Sequence, residues 1–300
     1  MRVLAVTGLV LALAVIPVLA GDYEDGVKFY SSKDYPRAIS AFRKAASNGL
    51  AAAQSILGVM YYAGRGVPKD YKEAVIWYEK AAAQGNAEAQ AALGIMYADG
   101  IGVAQNYKQA IFWSEKAAAQ GHAGAQNNLG VMYDEGKGVG QDYKRAMFWY
   151  KKAAEQGYAP AQASLGVMYD KGQGVAQDYQ QAISWYKKAA AQGNAAGQNN
   201  LSTMYAQGTG VKQDYAQAIS WVMKAVAQGY APAQTNLGAA YAEGLGVARD
   251  YVEAQKWFIL AAGNGIENAA KFRAILEKRM TREQIAEAQR RASEWMTAHR

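Results

Sequence analysis

The sequence predicts an all-α protein built as an α-solenoid, a stack of helical hairpins. Six leucines recur at intervals of 36 residues, and a whole phrase of neighbouring residues recurs with them. The leucines are Leu57, Leu93, Leu129, Leu165, Leu201 and Leu237. Self-similarity at a fixed period of this length is typical of repeat architectures. Residues present in every copy are therefore explained as parts of the repeat, and a specific function is expected where the copies differ.

The N-terminal residues 1–20 are predicted to be a secretory signal peptide. Arg2 is followed by an apolar run from Val3 to Leu19 and by small residues before Gly21, the order typical of a cleaved signal. A periplasmic or secreted protein without stable membrane insertion is therefore expected. Since the run approaches the length of a bilayer-spanning helix, an uncleaved membrane anchor is the alternative. The chain contains no cysteine, so an exported form must depend on its core rather than on disulfides.

The net charge of +7 does not by itself indicate a nucleic-acid partner, because its distribution is uneven. Arg2 belongs to the predicted signal, and eight Lys and Arg lie between Lys271 and Arg300 beside four Glu. The remaining 23 basic and 21 acidic residues leave the repeats close to neutral. A solvated face of a capping helix explains the basic tail, and no nucleic-acid binding is predicted.

Each copy is predicted to fold as two helices, A and B, as the copy that begins at Ala123 illustrates. Apolar residues at helical spacing place helix A from Ala123 to about Glu135, and the glycines of Gly136–Gly138 end it. Asp142 is the expected N-cap of helix B. Gly157 is expected to end helix B in the left-handed conformation, which glycine adopts without a Cβ penalty.

Small residues, such as Gly130 and Ala146, are expected to let helices A and B approach closely. Each copy also carries one tryptophan in helix B, which is expected to supply a large buried area. The tryptophans are Trp77, Trp113, Trp149, Trp185, Trp221 and Trp257. Since each copy leaves an apolar flank that only another copy can cover, the array is expected to be stable only as a stack.

The recurring phrase resembles a known repeat. Ala-x-x-x-Leu-Gly-x-Met-Tyr, the Gly-x-Gly-Val loop and the Asp-Tyr-x-x-Ala-x-x-Trp helix are similar to Sel1-like repeats, relatives of the tetratricopeptide repeat. The resemblance covers six repeats of 36 residues over 50–265, while 21–49 lacks the Gly-x-Gly loop and is interpreted as a degenerate, tetratricopeptide-like first repeat. Residues 266–300 are predicted to form capping helices, the last one starting at a capping box at Thr281. The resemblance implies a right-handed superhelix that serves as an adaptor for protein partners.

Catalysis is not predicted. Ser184 and Lys187 match the Ser-x-x-Lys pair of penicillin-recognising enzymes, but the accompanying Ser-Asp-Asn and Lys-Thr-Gly motifs are absent. Phe148 occupies the position of Ser184 in the preceding copy, so Ser184 is interpreted as a surface residue. The two histidines, His122 and His299, do not have metal-ligand spacing, and no metal or cofactor is expected.

The candidate partner-binding residues lie on helix A, one or two positions before the recurring leucines. They are Asn127, Asn128, Ser164, Asn199, Asn200, Thr235 and Asn236. Asparagine is not favoured inside a helix, and its amide can donate and accept toward an extended peptide. Asn128, Asn200 and Asn236 are therefore interpreted as part of a polar ladder in a concave groove, with surface asparagines that bind nothing as the alternative. Ser202 and Thr203, which replace the usual glycine and aliphatic residue, are a further departure.

The sequence thus predicts an exported, monomeric binding scaffold of a bacterial envelope that holds a protein or peptide partner. Two alternatives stay open, a β-lactamase-like hydrolase of the Sel1-repeat type and a cell-wall glycan binder. Acidic residues near the ends of helix A, among them Asp134 and Asp170, are interpreted as solvated loop charge, with a rim for basic partners as the alternative.

Overall fold

The computed structural model describes residues 21–299, and over this range it contains helices and no strand. The predicted signal peptide, residues 1–20, lies outside the described residues. Between residues 21 and 299 no helix combines the length and the apolar character needed to cross a bilayer. The predicted all-α repeat fold is confirmed.

The helices follow one another in hairpins. Residues 21–31 form α1. The others are α2 (Tyr35–Ser47), α3 (Ala51–Ala63), α4 (Tyr71–Ala83), α5 (Ala87–Asp99), α6 (Tyr107–Ala119), α7 (Ala123–Glu135), α8 (Tyr143–Glu155), α9 (Ala159–Lys171), α10 (Tyr179–Ala191), α11 (Ala195–Gln207), α12 (Tyr215–Val226), α13 (Ala231–Glu243), α14 (Tyr251–Gly263), α15 (Glu267–Glu277) and α16 (Arg282–Ala298). Helix A of the six copies is α3, α5, α7, α9, α11 or α13, and helix B is the helix that follows. Contacts divide the chain between Lys152 and Ala153, within α8, into an N-terminal and a C-terminal unit.

The helix ends are those expected from the sequence. Helix A ends at a left-handed glycine, for example Gly100 with φ of 71° and Gly208 with φ of 72°, because glycine reaches this region without a Cβ penalty. Helix B begins at an aspartate or asparagine: Asp70 Oδ1 accepts from the amides of Lys72 and Glu73, each at 3.0 Å. These bonds satisfy amides that have no partner inside the helix.

Gly-x-Gly loops within one unit also touch the copy before them. The second glycine has positive φ, 71° at Gly102 and 73° at Gly246. A Cβ at Gly102 would lie 2.4 Å from the carbonyl oxygen of Tyr71, the first residue of the preceding helix B, and Gly246 stands in the same relation to Tyr215 at 2.7 Å. Both the backbone conformation and the close approach therefore require glycine here.

In four of the six copies, helices A and B meet where a glycine faces an aromatic ring, whereas Gly94 faces the hydroxyl of Ser114. A Cβ at Gly58 would lie 2.6 Å from the ring of Tyr78, and one at Gly166 would lie 2.4 Å from the ring of Tyr186. Tyr186 is 1% exposed. The close approach of the two helices, expected from the small residues, thus depends on these pairs.

The tryptophans differ from the expectation. Trp257 is buried, but the other five are only half-buried. The residue after the tryptophan, Tyr78 or Tyr186 for instance, fills the interior instead, because it faces the glycine of helix A. Lys188 lies over the ring of Trp185 with its Nζ 4.0 Å from the centroid, a cation–π contact at the surface.

A buried glutamine of helix A, to which the sequence analysis gave no role, joins successive copies. Gln90 Nε2 donates to the carbonyl oxygen of Ala82 at the end of the preceding helix B, at 3.1 Å. Its Oε1 accepts from Gln120 at the end of its own helix B, at 2.8 Å. In the C-terminal unit, Gln198 bonds the Ala190 carbonyl and Gln228 in the same way, at 3.3 and 2.9 Å. Such bonds satisfy backbone carbonyls at helix ends that would otherwise be buried without a partner.

The last two helices pack on α14. Trp295 of α16 meets Trp257 edge to face with ring centroids 5.9 Å apart, and Leu276 of α15 joins the core around Phe258. The predicted capping box at the start of α16 is confirmed, since Thr281 and Gln284 exchange side-chain-to-backbone bonds.

Candidate functional site

Three of the predicted site residues come together in the C-terminal unit. Asn236 on α13 donates through Nδ2 to Asn199 Oδ1 on α11, at 2.9 Å, and lies 3.5 Å from Thr203 Oγ1. Asn199 in turn contacts Asn200 Oδ1 at 3.4 Å. Asn199 is buried, whereas Asn236 is exposed. The buried Asn199 therefore joins two helices, and the exposed Asn236 uses its Nδ2 for this contact.

Asn200 also faces the interior of the neighbouring copy. Its side chain hydrogen-bonds the hydroxyl of Tyr186, which lies 3.4 Å from Asp170 Oδ2. Burial, followed by the charge of Asp170, raises the pKa of Tyr186 well above its ordinary value. Asp134 lies 3.5 Å from the hydroxyl of Tyr150 in the same way. The interpretation of these two aspartates as solvated loop charge is therefore corrected, because each one meets a buried tyrosine.

The other two candidates of this unit lie apart from the cluster. Thr235 is buried, and its hydroxyl donates to the carbonyl oxygen of Ala231 in its own helix at 3.3 Å. Ser164 is half-buried on α9. Ser164 occupies the repeat position of Asn200 and Asn236 but makes no hydrogen bond with them, and Thr235 is turned into its own copy.

Asn127 and Asn128 lie on α7 in the N-terminal unit. Asn127 Oδ1 is buried and makes no hydrogen bond to a described residue. Asn128 lines a pocket of about 130 Å³ between α5 and α7, together with Tyr107, Val131 and Lys137. We call this the α5–α7 pocket.

Two further pockets lie in the C-terminal unit, one between α11 and α13 and one between α13 and α15. The α11–α13 pocket has a volume of about 180 Å³, and Thr203 and Asn236 lie among its lining residues beside apolar side chains. The α13–α15 pocket has a volume of about 270 Å³ and is lined by Phe258, Phe272 and Ile275 among others. Ala239 lines both pockets, so they are neighbours on one face.

The residues considered for catalysis lie at surface or helix-capping positions. Ser184 and Lys187 are exposed on α10. His122 is the N-cap of α7, with Nδ1 accepting from the Ala125 amide at 3.1 Å and Nε2 3.2 Å from Glu88. Within residues 21–299 no three His, Asp or Glu side chains are grouped so that they could hold a metal ion.

Comparison with known proteins gives a consistent result. The sequence model of the Sel1 repeat matches seven segments: 19–50, 51–86, 87–122, 123–158, 159–194, 195–230 and 231–266. The first of them includes the whole segment 21–49, interpreted above as a degenerate repeat. Among curated proteins, none matches the chain.

Several solved structures are similar. A Sel1 repeat protein from Oxalobacter formigenes is 34% identical with a TM-score of 0.75, covering 80% of this chain and 96% of that one. A protective antigen of uropathogenic Escherichia coli with an SLR fold is 29% identical with a TM-score of 0.53, covering 95% and 85%. An immunity protein from Pseudomonas aeruginosa, 22% identical with a TM-score of 0.50 over 71% and 81%, shares the fold alone. The seven matched segments and the likeness to the Oxalobacter protein show that the chain belongs to the Sel1 repeat family.

Proposed function

We propose that this protein is an exported, monomeric scaffold that holds a protein or peptide partner on the A-helix face of its repeats. Sel1 repeat folds generally act as protein-interaction scaffolds and are typically non-catalytic. The observation that carries the proposal is the pair of neighbouring pockets on the C-terminal unit, which share Ala239. Pockets with apolar walls and a few polar groups at the rim are typical of binding sites.

The rim supports a peptide as the occupant. Nδ2 of Asn236 donates to Asn199 and Thr203. Its Oδ1 can therefore accept a hydrogen bond from a peptide amide. Phe272 and Ile275 are 43% and 55% exposed beside the α13–α15 pocket. An extended segment with apolar side chains would cover them and meet the amide of Asn236 with its backbone.

Capture from native envelopes tests the proposal. Purified protein is crosslinked to its surroundings, and the captured proteins are identified by mass spectrometry. Ala239→Arg, which places a long charged side chain on the wall common to both pockets, is expected to remove the partner.

Met223→Arg is the matched control. Met223 lies on helix B of the same unit and is 53% exposed, so the same charge is added away from the A-helix face. Equal capture by the wild type and by both variants would contradict the proposal, as would loss of capture by Met223→Arg alone.

The same protein tests the two other classes of function. Turnover of nitrocefin by purified protein would favour a hydrolase, and retention on peptidoglycan would favour a glycan binder. The exported location, which rests on the predicted signal peptide, is tested by fractionation with a periplasmic marker and by the mass of the mature N-terminus.

A further inference from the structure

The copy that contains α11 and α12 differs from its predecessor in the interior. In the predecessor, Tyr186 fills the space between helices A and B and packs against Gly166. Thirty-six residues on, Val222 replaces the tyrosine and Ser202 replaces the glycine. The hydroxyl of Ser202 donates to the carbonyl oxygen of Ala218 at 2.8 Å. The smaller valine and the larger serine together keep the helices packed without an aromatic ring.

The surroundings of the missing ring line the α11–α13 pocket. The hydroxyl end of Tyr186 meets Asp170 and Asn200. The residues one repeat later are Ala206 and Asn236, and both line the pocket with Ser202 and Val222. The pocket therefore extends into the place that a tyrosine side chain occupies one repeat earlier.

The size and polarity of the pocket suit one benzene ring. Its volume is about 180 Å³, and an apolar cavity of about 150 Å³ is enough to hold benzene. Ala218, Ile219 and Val222 supply apolar lining. Ala206 stands where the preceding copy has Asp170, so no carboxylate at this position opposes the burial of an apolar ring.

We propose that the α11–α13 pocket binds one aromatic side chain, phenylalanine or tyrosine, that projects from the partner peptide. The inference deepens the proposed function and rests on it for the identity of the ligand as a peptide. The aromatic ring lies on Val222 and Ile219, and Asn236 Oδ1 accepts from the peptide backbone at the rim. The α13–α15 pocket, across Ala239, receives a second apolar side chain of the same peptide.

Titration with p-cresol, the side chain of tyrosine as a free molecule, tests the pocket without a partner. Saturable changes are expected in the NMR signals of Ala239 and Leu245, which line it. Nuclear Overhauser effects are expected from the ring to the methyl groups of Val222. No saturable binding, or contacts to a different part of the protein, would overturn the inference.

The double variant Ser202→Gly/Val222→Tyr restores the internal ring of the preceding copy and fills the pocket. Affinity for p-cresol is expected to fall at least about tenfold, and the thermal midpoint is expected to stay at or above that of the wild type. The single change Val222→Tyr is expected to lower the midpoint, because a side chain at position 202 meets the ring. Undiminished binding by a folded double variant would overturn the inference.

The two failures can be told apart. If capture depends on Ala239 but p-cresol does not bind, the scaffold function stands and the aromatic pocket falls. If p-cresol binds but Ala239→Arg captures as much partner as the wild type, the aromatic pocket is supported and the proposed use of this face is contradicted.

Discussion

At the scale of single residues, the distance between two helices depends on one missing Cβ. Gly166 and Tyr186 sit in van der Waals contact that leaves no room for a methyl group. The same glycine faces Tyr78 and Tyr150 from positions 58 and 130, and where the tyrosine is absent, at Val222, the glycine is replaced by Ser202. A tyrosine here therefore requires the glycine, but the glycine does not require the tyrosine, because Gly94 is kept beside Ser114.

Gly166→Ala is expected to lower the free energy of unfolding by about 1–3 kcal/mol, the range for overpacked cores. The added Cβ would lie 2.4 Å from a ring that is fully enclosed, which outweighs the higher helix propensity of alanine. Gly263→Ala, where no other atom lies within 4 Å of the added carbon, is the control and is expected to be neutral or stabilising. Urea denaturation measures both, and an equal response of the two variants would contradict the packing explanation.

The buried glutamines provide a second test at this scale. Gln198→Met removes the partner of the Ala190 carbonyl and of Gln228, and is expected to cost about 1–3 kcal/mol because buried polar groups lose their bonds. Gln234 occupies the same position in the last copy and is fully buried, and its side chain makes no hydrogen bond to a described residue. The reason is Asn264, whose shorter side chain bonds its own helix at Leu260. Gln234→Met is therefore expected to be neutral or stabilising, and denaturation showing similar losses for both would contradict this account.

At the scale of helices, the sequence predicted where each helix begins and ends better than which of its side chains face the core. Helix boundaries follow from local chemistry, Asp70 and Asn106 as caps and Gly100 as terminator, so they can be read from neighbouring residues. Which of Trp185 and Tyr186 enters the core depends on Gly166, about 20 residues away, and a period alone does not reveal it. Comparing the copies with one another gives only part of the signal, because both residues change at Ser202 and Val222 whereas Gly94 is kept beside Ser114.

The sequence predicted only part of the candidate site, because the exposure of a side chain also depends on residues far away in the chain. Choosing positions where copies differ led to Asn236, which lines the α11–α13 pocket, and to Asn200, which meets the hydroxyl of Tyr186. It also led to Thr235, which is buried. Helical periodicity gives the direction of a side chain only roughly, and neighbouring positions such as 235 and 236 differ in exposure because the next copy covers one of them.

The attachment of α16 is expected to depend on pH. Arg290 and then Arg291 bond Glu287 and lower its pKa to about 2, and Arg291 also bridges to Glu253 of α14 at 2.8 Å. A carboxylate with a lowered pKa stabilises the fold fully above its unfolded value of about 4.3, and loses this contribution as the pH falls toward 2. Because the Glu287 side chain is only half-buried, solvent screens it and the effect is expected to be modest.

Hydrogen exchange of α16 amides, corrected for the intrinsic rate at each pH, measures this dependence. Protection is expected to decline from about pH 4.3 toward pH 2 in the wild type. Glu287→Gln is expected to start lower at neutral pH and to change less over that interval. Identical pH profiles for the two proteins would contradict the role of this ion pair.

At the scale of the whole molecule, a substitution is expected to destabilise mainly the copies around it. In a repeat array, each copy contacts its neighbours, so stability is a sum of copies and interfaces. Leu165 is 1% exposed, and Leu165→Ala is expected to cost about 2–5 kcal/mol. Hydrogen exchange is expected to show the loss of protection concentrated in α9 to α12, with less change in α3 to α6. A uniform loss over residues 21–299 would indicate instead that the chain unfolds as one cooperative body.

The contact of a Gly-x-Gly loop with the preceding copy has a consequence for how such proteins change in length. Gly102 rests on the backbone of Tyr71, and Gly246 rests on that of Tyr215. The contacted residue is a tyrosine at the start of helix B in these copies, so the loop requires that a helix B with this first residue begin one copy earlier. A gene segment of 36 codons could thus be duplicated or deleted at a repeat boundary with every new junction already matched. Recombination within the gene would then alter how many pockets the protein offers, while the packing rules inside each copy stay unchanged.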